Sequence, residues 1–318
     1  MDDEELIEQL SDSDPGTRQL ALMQLEDTVS LEHVPLLLRA LEDSDAVVRR
    51  LSIGLLEELG DPSAVAGIVL CLLDPELDVR DAAAAALRDF RGPDAATPML
   101  EAIQHPDPEV RRGVIVGLRE IKDPRAVNPL IHALEDESAV VRREAVITLA
   151  YQRLPDSIEP LRLRLADPDA SVRRVAVGAL NHWNSPALLG DFVRALGDPD
   201  WRVRAESAIV LGRSALAGAI PGLRAALGDS FWQVQKESIA ALGRLSAAAA
   251  VPELLGFLSS EVAELRRSAA YALGDIKAPQ ARSALAALGS DPDIEVRKAA
   301  SRALEAIDKA HQQGTVLT

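Results

Sequence analysis

A leucine recurs every 31 residues along this chain: Leu25, Leu56, Leu87, Leu118, Leu149, Leu180, Leu211, Leu242, Leu273 and Leu304. Seven residues before each stands an anchor, Arg in nine of ten cases: Arg18, Arg49, Arg80, Arg111, Arg142, Arg173, Arg204, Gln235, Arg266 and Arg297. No insertion or deletion interrupts the register, so the chain reads as one structural unit repeated, not as the two domains its length would suggest. Three residues after the anchor the side chain is small in nine of ten units, with Val114 the exception, and nineteen after it the side chain is always apolar.

Inside a unit the spacing is helical. Anchor +3 and +7 share one face of a first helix, and +16, +19, +20 and +23, as in Val127, Leu130, Ile131 and Leu134, make the stripe of a second. Between them Asp61-Pro62, Asp123-Pro124, Pro93, Pro155, Pro186 and Pro279 mark a break. Proline fits the first turn of a helix and not its interior, so each unit is expected to be a helical hairpin. The composition agrees: apolar residues are 47% of the chain but aromatics only 3%, which suits aliphatic helix packing better than a β-sandwich.

The linker into each unit carries Asp six residues before the anchor in eight of ten cases: Asp12, Asp43, Asp74, Asp136, Asp167, Asp198, Asp229 and Asp291. Such a carboxylate can cap the first helix and accept hydrogen bonds from an anchor guanidinium. An isolated Asp–Arg pair would suggest catalysis. Repeated this often, Asp43, Asp74, Asp136, Asp167, Asp198 and Asp291 with Arg49, Arg80, Arg111, Arg142, Arg173, Arg204 and Arg297 read as a structural ladder.

The linker Asp, the Val-Arg pair six residues on, the small residue and the Leu-Gly or Leu-Glu after it, as in Asp291 to Leu304, resemble HEAT repeats, in particular the short HEAT-like repeats of the phycobilisome-lyase type. The resemblance implies an all-α, right-handed α-solenoid of about ten 31-residue hairpins. Residues 12–308 would form a single elongated repeat domain, 1–11 an N-terminal capping helix led by Leu6 and Leu10, and 309–318 a flexible tail.

A net charge of −16 argues against coating nucleic acid or an anionic membrane, which clustered Lys and Arg would hold. Acids at the N-terminus and the lack of a long uncharged apolar run are unlike an export signal or a membrane span, so a cytoplasmic protein is expected. The one cysteine, Cys71, excludes an intrachain disulfide and shares a column with alanines, so it is read as a small buried residue. The family resembled includes hydroxylases with a di-iron centre on His-Glu pairs. Here His33, His105, His132, His182 and His311 fall in five different columns and none precedes Glu, so no metal site is expected. No phosphate loop, nucleophile elbow or other catalytic motif occurs, and no catalytic residue is assigned.

What departs from the repeat is a small aromatic set. Trp201 and Trp232 occupy the same column, three before the anchor, in consecutive units, and Phe231 precedes the second. With helices packing roughly 10 Å apart, the two indoles are expected to be neighbours at a variable, surface column. The same region carries Arg162, Arg164, Arg194 and Arg224 on second helices, which the resemblance places on the inner face. Together these seven residues are the candidate surface for a protein partner. A second basic column, one after the anchor (Arg50, Arg112, Arg143, Arg174, Lys236, Arg267, Lys298), is expected to be neutralised by acids four before the anchor, such as Asp45, Asp107, Asp169, Asp200 and Asp293.

The leading expectation is therefore a non-catalytic scaffold or adaptor without a cofactor, holding a protein on the curved face. The resemblance supplies the alternative, a phycobilin lyase subunit or a chaperone that handles a linear tetrapyrrole or its apoprotein, with the arginines facing propionates.

Overall fold

The computed structural model of the chain describes residues 3–183 and 185–315. All regular structure among them is helical, and the class is an α-solenoid of helical hairpins. An opening helix, Asp3–Leu10, lays the buried Leu6 against the first repeat helix, Pro15–Leu25. Nine hairpins follow. Their first helices are Pro15–Leu25, Ala46–Leu59, Leu77–Ala86, Pro108–Gly117, Ala139–Gln152, Ala170–Leu180, Trp201–Arg213, Trp232–Arg244 and Ala263–Ile276. The second helices are shorter, for example Val65–Leu70, Val127–His132, Leu189–Ala195 and Val251–Phe257, most of them entered through one 3-10 turn such as Pro62–Ala64.

The repeat columns explain these boundaries. The +3 and +7 residues are buried throughout, from Ala21 and Leu25 to Ala269 and Leu273. In five units the first helix is followed at +11 by a left-handed residue: Gly60, Arg153, Ala215, Ser246 and Lys277. The Gly60 N–H then donates to the carbonyls of Leu56 and Glu57, closing the helix end. At +12 Asp61 and Asp123 accept from the N–H two residues on, and Pro62 and Pro124 at +13 start the next turn.

The tenth unit differs from expectation. Its helix runs from Ile294 to Thr315 without a break, so the hairpin does not close and the presumed tail from Lys309 is helical up to Thr315. At +12 and +13 it has Lys309 and Ala310, where Asp61-Pro62 and Asp123-Pro124 start the second helix of two other units. The three residues after Thr315 lie outside the described part.

The uninterrupted register reads as one domain, yet the packing groups the chain into two compact units, Met1–Leu161 and Arg162–Thr318. In a repeat array each hairpin packs mainly on its neighbours, so such a boundary needs no linker. Within the second unit the first helices come closest where Gly follows the repeat Leu. A Cβ on Gly212, Gly243 or Gly274 would lie 2.7, 2.8 or 2.8 Å from the Cα of Ala241, Ala272 or Ala303.

Candidate functional site

The anchor arginines and linker aspartates meet, but between units. Arg49 Nε and Nη2 donate to Asp74 Oδ2 and Oδ1, 25 residues on, at 2.6 and 2.7 Å. Its Nη1 reaches back to the carbonyls of Asp43 and Ser44 at 2.8 and 3.2 Å. One guanidinium thus binds its own linker's backbone to the next linker's carboxylate. The same two-pronged rung joins Arg18 to Asp43, Arg111 to Asp136, Arg173 to Asp198, Arg204 to Asp229 and Arg266 to Asp291. Arg142, Arg80 and Arg297 make the same backward bonds, to the carbonyls of Asp136, Asp74 and Asp291. Asp167 is buried, 3.7 Å from the Arg164 guanidinium, and accepts from the Asp169 N–H at 2.9 Å.

Rung aspartates are not helix caps. The caps are the acids two residues later: Asp45 accepts from the N–H groups of Val47 and Val48, and Asp14, Asp107, Asp169 and Asp200 serve their helices likewise. Asp293 accepts from the N–H groups of Glu295 and Val296. The rung carboxylate holds the cap in place, as when Asp43 accepts from the Asp45 N–H at 2.8 Å. These caps were expected to neutralise the basic column. Glutamates close in sequence do that instead: Glu109 pairs with Arg112, Glu144 with Arg143, Glu237 with Lys236 and Glu295 with Lys298.

Arginine bonds set the ionisation of the rungs. The Arg49 guanidinium holds the Asp74 carboxyl below the usual range against its burial, and Arg204 and Arg266 do the same for Asp229 and Asp291. At Asp43 and Asp198 burial is the largest influence and pushes upward, but the hydrogen bonds from Arg18 and Arg173, the N–H groups of Asp45 and Asp200 and the arginine charges together hold both carboxyls below the usual range. Cys71 is buried, and that burial pushes its thiol up to about 11, which leaves no thiolate at neutral pH.

The aromatic set is arranged differently from its expected pairing. Trp201 stacks on Phe231, with centroids 5.7 Å apart and an interplanar angle of 13°, rather than being defined by Trp232. Trp201 also packs against a core of Ala205, Ala226 and Val234, so it is half structural. Phe231 and Trp232 stay open to solvent at 41% and 39% exposure, and Leu77 and Ile294, in the same column as Trp232, are exposed as well. Arginines attend both stacked rings: Arg202 Cζ lies 4.9 Å from the Trp201 centroid and Arg204 Cζ 5.5 Å from that of Phe231. The Asp229 that takes the Arg204 fork also accepts from the Phe231 N–H at 2.9 Å, so a rung positions the ring.

The second-helix arginines do not form an open basic strip. Arg162 Nε donates to Asp191 Oδ2 at 2.6 Å, and Arg194 Nη1 reaches the other oxygen at 3.2 Å. The Asp191 side chain is 4% exposed, whereas that of Arg194 is 78% exposed. Arg224 Nε donates to Glu253 at 2.9 Å. Asp191 and Glu253 were missed in the sequence, although each stands 29 residues after its arginine, a second repeating interval.

Stacked hairpins with interlocking rungs define a repeat scaffold. HEAT repeats match the chain over residues 4–88, 68–150, 95–173, 158–232 and 220–305, and the chain belongs to the HEAT-repeat family. No curated protein matches it in sequence. Among solved structures it is similar to Kap95p in complex with RanGDP, at TM-score 0.67 and 14% identity over 96% of this chain and 49% of that one, so it spans about half of Kap95p. YibA of Escherichia coli matches at TM-score 0.56 and 18% identity, over 94% of this chain and 99% of its own. An engineered protein matches at 0.53 and 21%, over 97% and 99%. At these identities the likeness concerns the fold. No helix among the described residues is long and apolar enough to cross a membrane.

Proposed function

We propose that the chain is a non-catalytic scaffold that docks a protein partner on Phe231 and Trp232, with Arg202 and Arg194 as a polar rim. The observation that carries this is the pair of exposed aromatic rings in a chain with 3% aromatics, on a support that rung and core hold rigid. Aromatic side chains and arginines dominate binding hot spots, and a preorganised ring loses little entropy on docking. Kap95p, whose fold is similar, is seen in complex with RanGDP, which supports a protein partner without naming one.

The tetrapyrrole reading has less behind it. Arg162, Arg194 and Arg224 already hold Asp191 and Glu253, so a propionate would have to displace a carboxylate.

Affinity capture from the source organism, with Trp232→Ala and Phe231→Ala each compared with the unaltered chain, tests the proposal. The expected outcome is a partner retained at least tenfold less by either variant, about 1.4 kcal/mol or more, with thermal unfolding nearly unchanged for Trp232→Ala. Equal retention of every captured protein would contradict it.

A further inference from the structure

The ladder has a rung that is half built. Arg80 keeps the backward bonds of its column, Nη1 to the carbonyls of Asp74 and Pro75 at 2.6 and 2.9 Å. Twenty-five residues on, where the six paired arginines find Asp, stands His105. His105 copies one duty of that Asp, since its Nδ1 accepts from the Asp107 N–H at 3.1 Å as Asp43 accepts from Asp45. An accepting Nδ1 puts the proton of the neutral ring on Nε2, so His105 has no second acceptor and cannot supply the two that a rung carboxylate gives. In the eighth unit the ladder loses both partners together: Gln235 replaces Arg, Ser260 stands 25 residues on, and Gln235 Nε2 keeps only the bond to the Asp229 carbonyl, at 2.9 Å. At Arg80 the cation is kept and its acceptor is gone.

Arg80 also lines an open cavity of about 180 Å³ with Leu72, Leu77, Asp81, Glu109 and Arg112, several times the roughly 30 Å³ share of one water. We propose that the Arg80 fork is a docking site for a single side-chain carboxylate of a partner polypeptide, which completes the rung from outside. The fork geometry selects a planar two-oxygen acceptor, as it does in the six closed rungs. Arg112 is already engaged by Glu109 at 2.9 Å, which leaves the Arg80 fork as the acceptor-seeking group of the cavity, and Asp81 and Glu109 on its lining oppose a polyanion. The site lies in the first compact unit, apart from the aromatic surface, and does not depend on it.

The test is an NMR titration of the full chain with ¹⁵N-labelled arginine. The probe is acetyl-Ala-Asp-Ala-amide at millimolar concentrations, and acetyl-Ala-Asn-Ala-amide is the control. The Arg80 Nε–H signal and the Asp81 amide are expected to shift and saturate with the Asp peptide alone, while the Nε–H signals of Arg18, Arg49 and Arg111 stay in place. Arg80→Gln, which copies the natural Gln235 arrangement and so keeps the fold, should abolish the Asp81 shift. His105→Asp should close the rung from within, raise the midpoint of thermal unfolding by a few degrees and remove the peptide response. Absence of a saturable shift, an equal shift with the Asn peptide, or a response that survives in Arg80→Gln would each overturn the proposal.

Discussion

Asp74 joins three segments of backbone. Its carboxylate takes the Arg49 fork and the Glu76 N–H, while its own carbonyl accepts from Arg80. Both partners of the Arg49 rung are largely buried, with side chains 10% and 7% exposed, so deleting one leaves a desolvated charge behind. Asp74→Ala is therefore expected to lose about 3 kcal/mol of unfolding free energy in urea titration. Because Arg49 lowers the folded-state pKa of Asp74 below its ordinary 3.8, this stabilisation is present above pH 3.8 and is lost as pH falls through the folded value. Measured stability should hold from pH 7 to 5 and then fall, with Asp74→Ala falling less. Glu206 and Asp275 act with the opposite sign: burial raises both, so protonation relieves a cost that their charged forms impose. At this scale the sequence displayed which residue types matter but not how they pair. An Asp and an Arg six positions apart suggest a local contact, whereas the carboxylate bonds the arginine of the preceding unit.

Close approach between first helices depends on the glycine after the repeat leucine. Gly243 has the Ala272 Cα 2.8 Å from where its Cβ would be, and Gly54, on the exposed side of Ala46–Leu59, has nothing within 4 Å. Gly243→Val should cost about 2 kcal/mol through overpacking, whereas Gly54→Ala should add up to about 1 kcal/mol from helix propensity. Paired thermal-unfolding measurements check both. Helix identity and the start of the second helix were legible here, because the +3 and +7 columns and Pro62, Pro124 and Pro155 each carry a residue-type signal. The left-handed closure at +11 was not. Gly60 is the one glycine there; Arg153, Ala215, Ser246 and Lys277 take the same conformation, and the N–H groups of Arg153, Ser246 and Lys277 bond back to the helix end. The unbroken tenth helix was not legible either, since Ala310 stands at +13 where Ala217 and Ala248 start second helices in units that do form hairpins.

For the whole molecule, the 31-residue register carried the fold, because a residue that recurs in every unit must serve what every unit does. That logic makes the partner surface hard to read, since the informative residues are those that occur once. Trp201, Phe231 and Trp232 stood out by rarity, yet their roles separated only in three dimensions, Trp201 into the core and the other two toward solvent. The second-helix arginines stood out by charge, and their neutralisation by Asp191 and Glu253 depends on contacts between units. The claim that most needs testing is that Phe231 and Trp232 form the docking surface. Site-specific photo-crosslinking in the source organism, with a benzoylphenylalanine at position 232 and a control at the exposed Glu58, tests it most directly. A discrete protein adduct from position 232 and none from position 58 is the predicted result. No adduct at 232, or the same adduct from both positions, would contradict it.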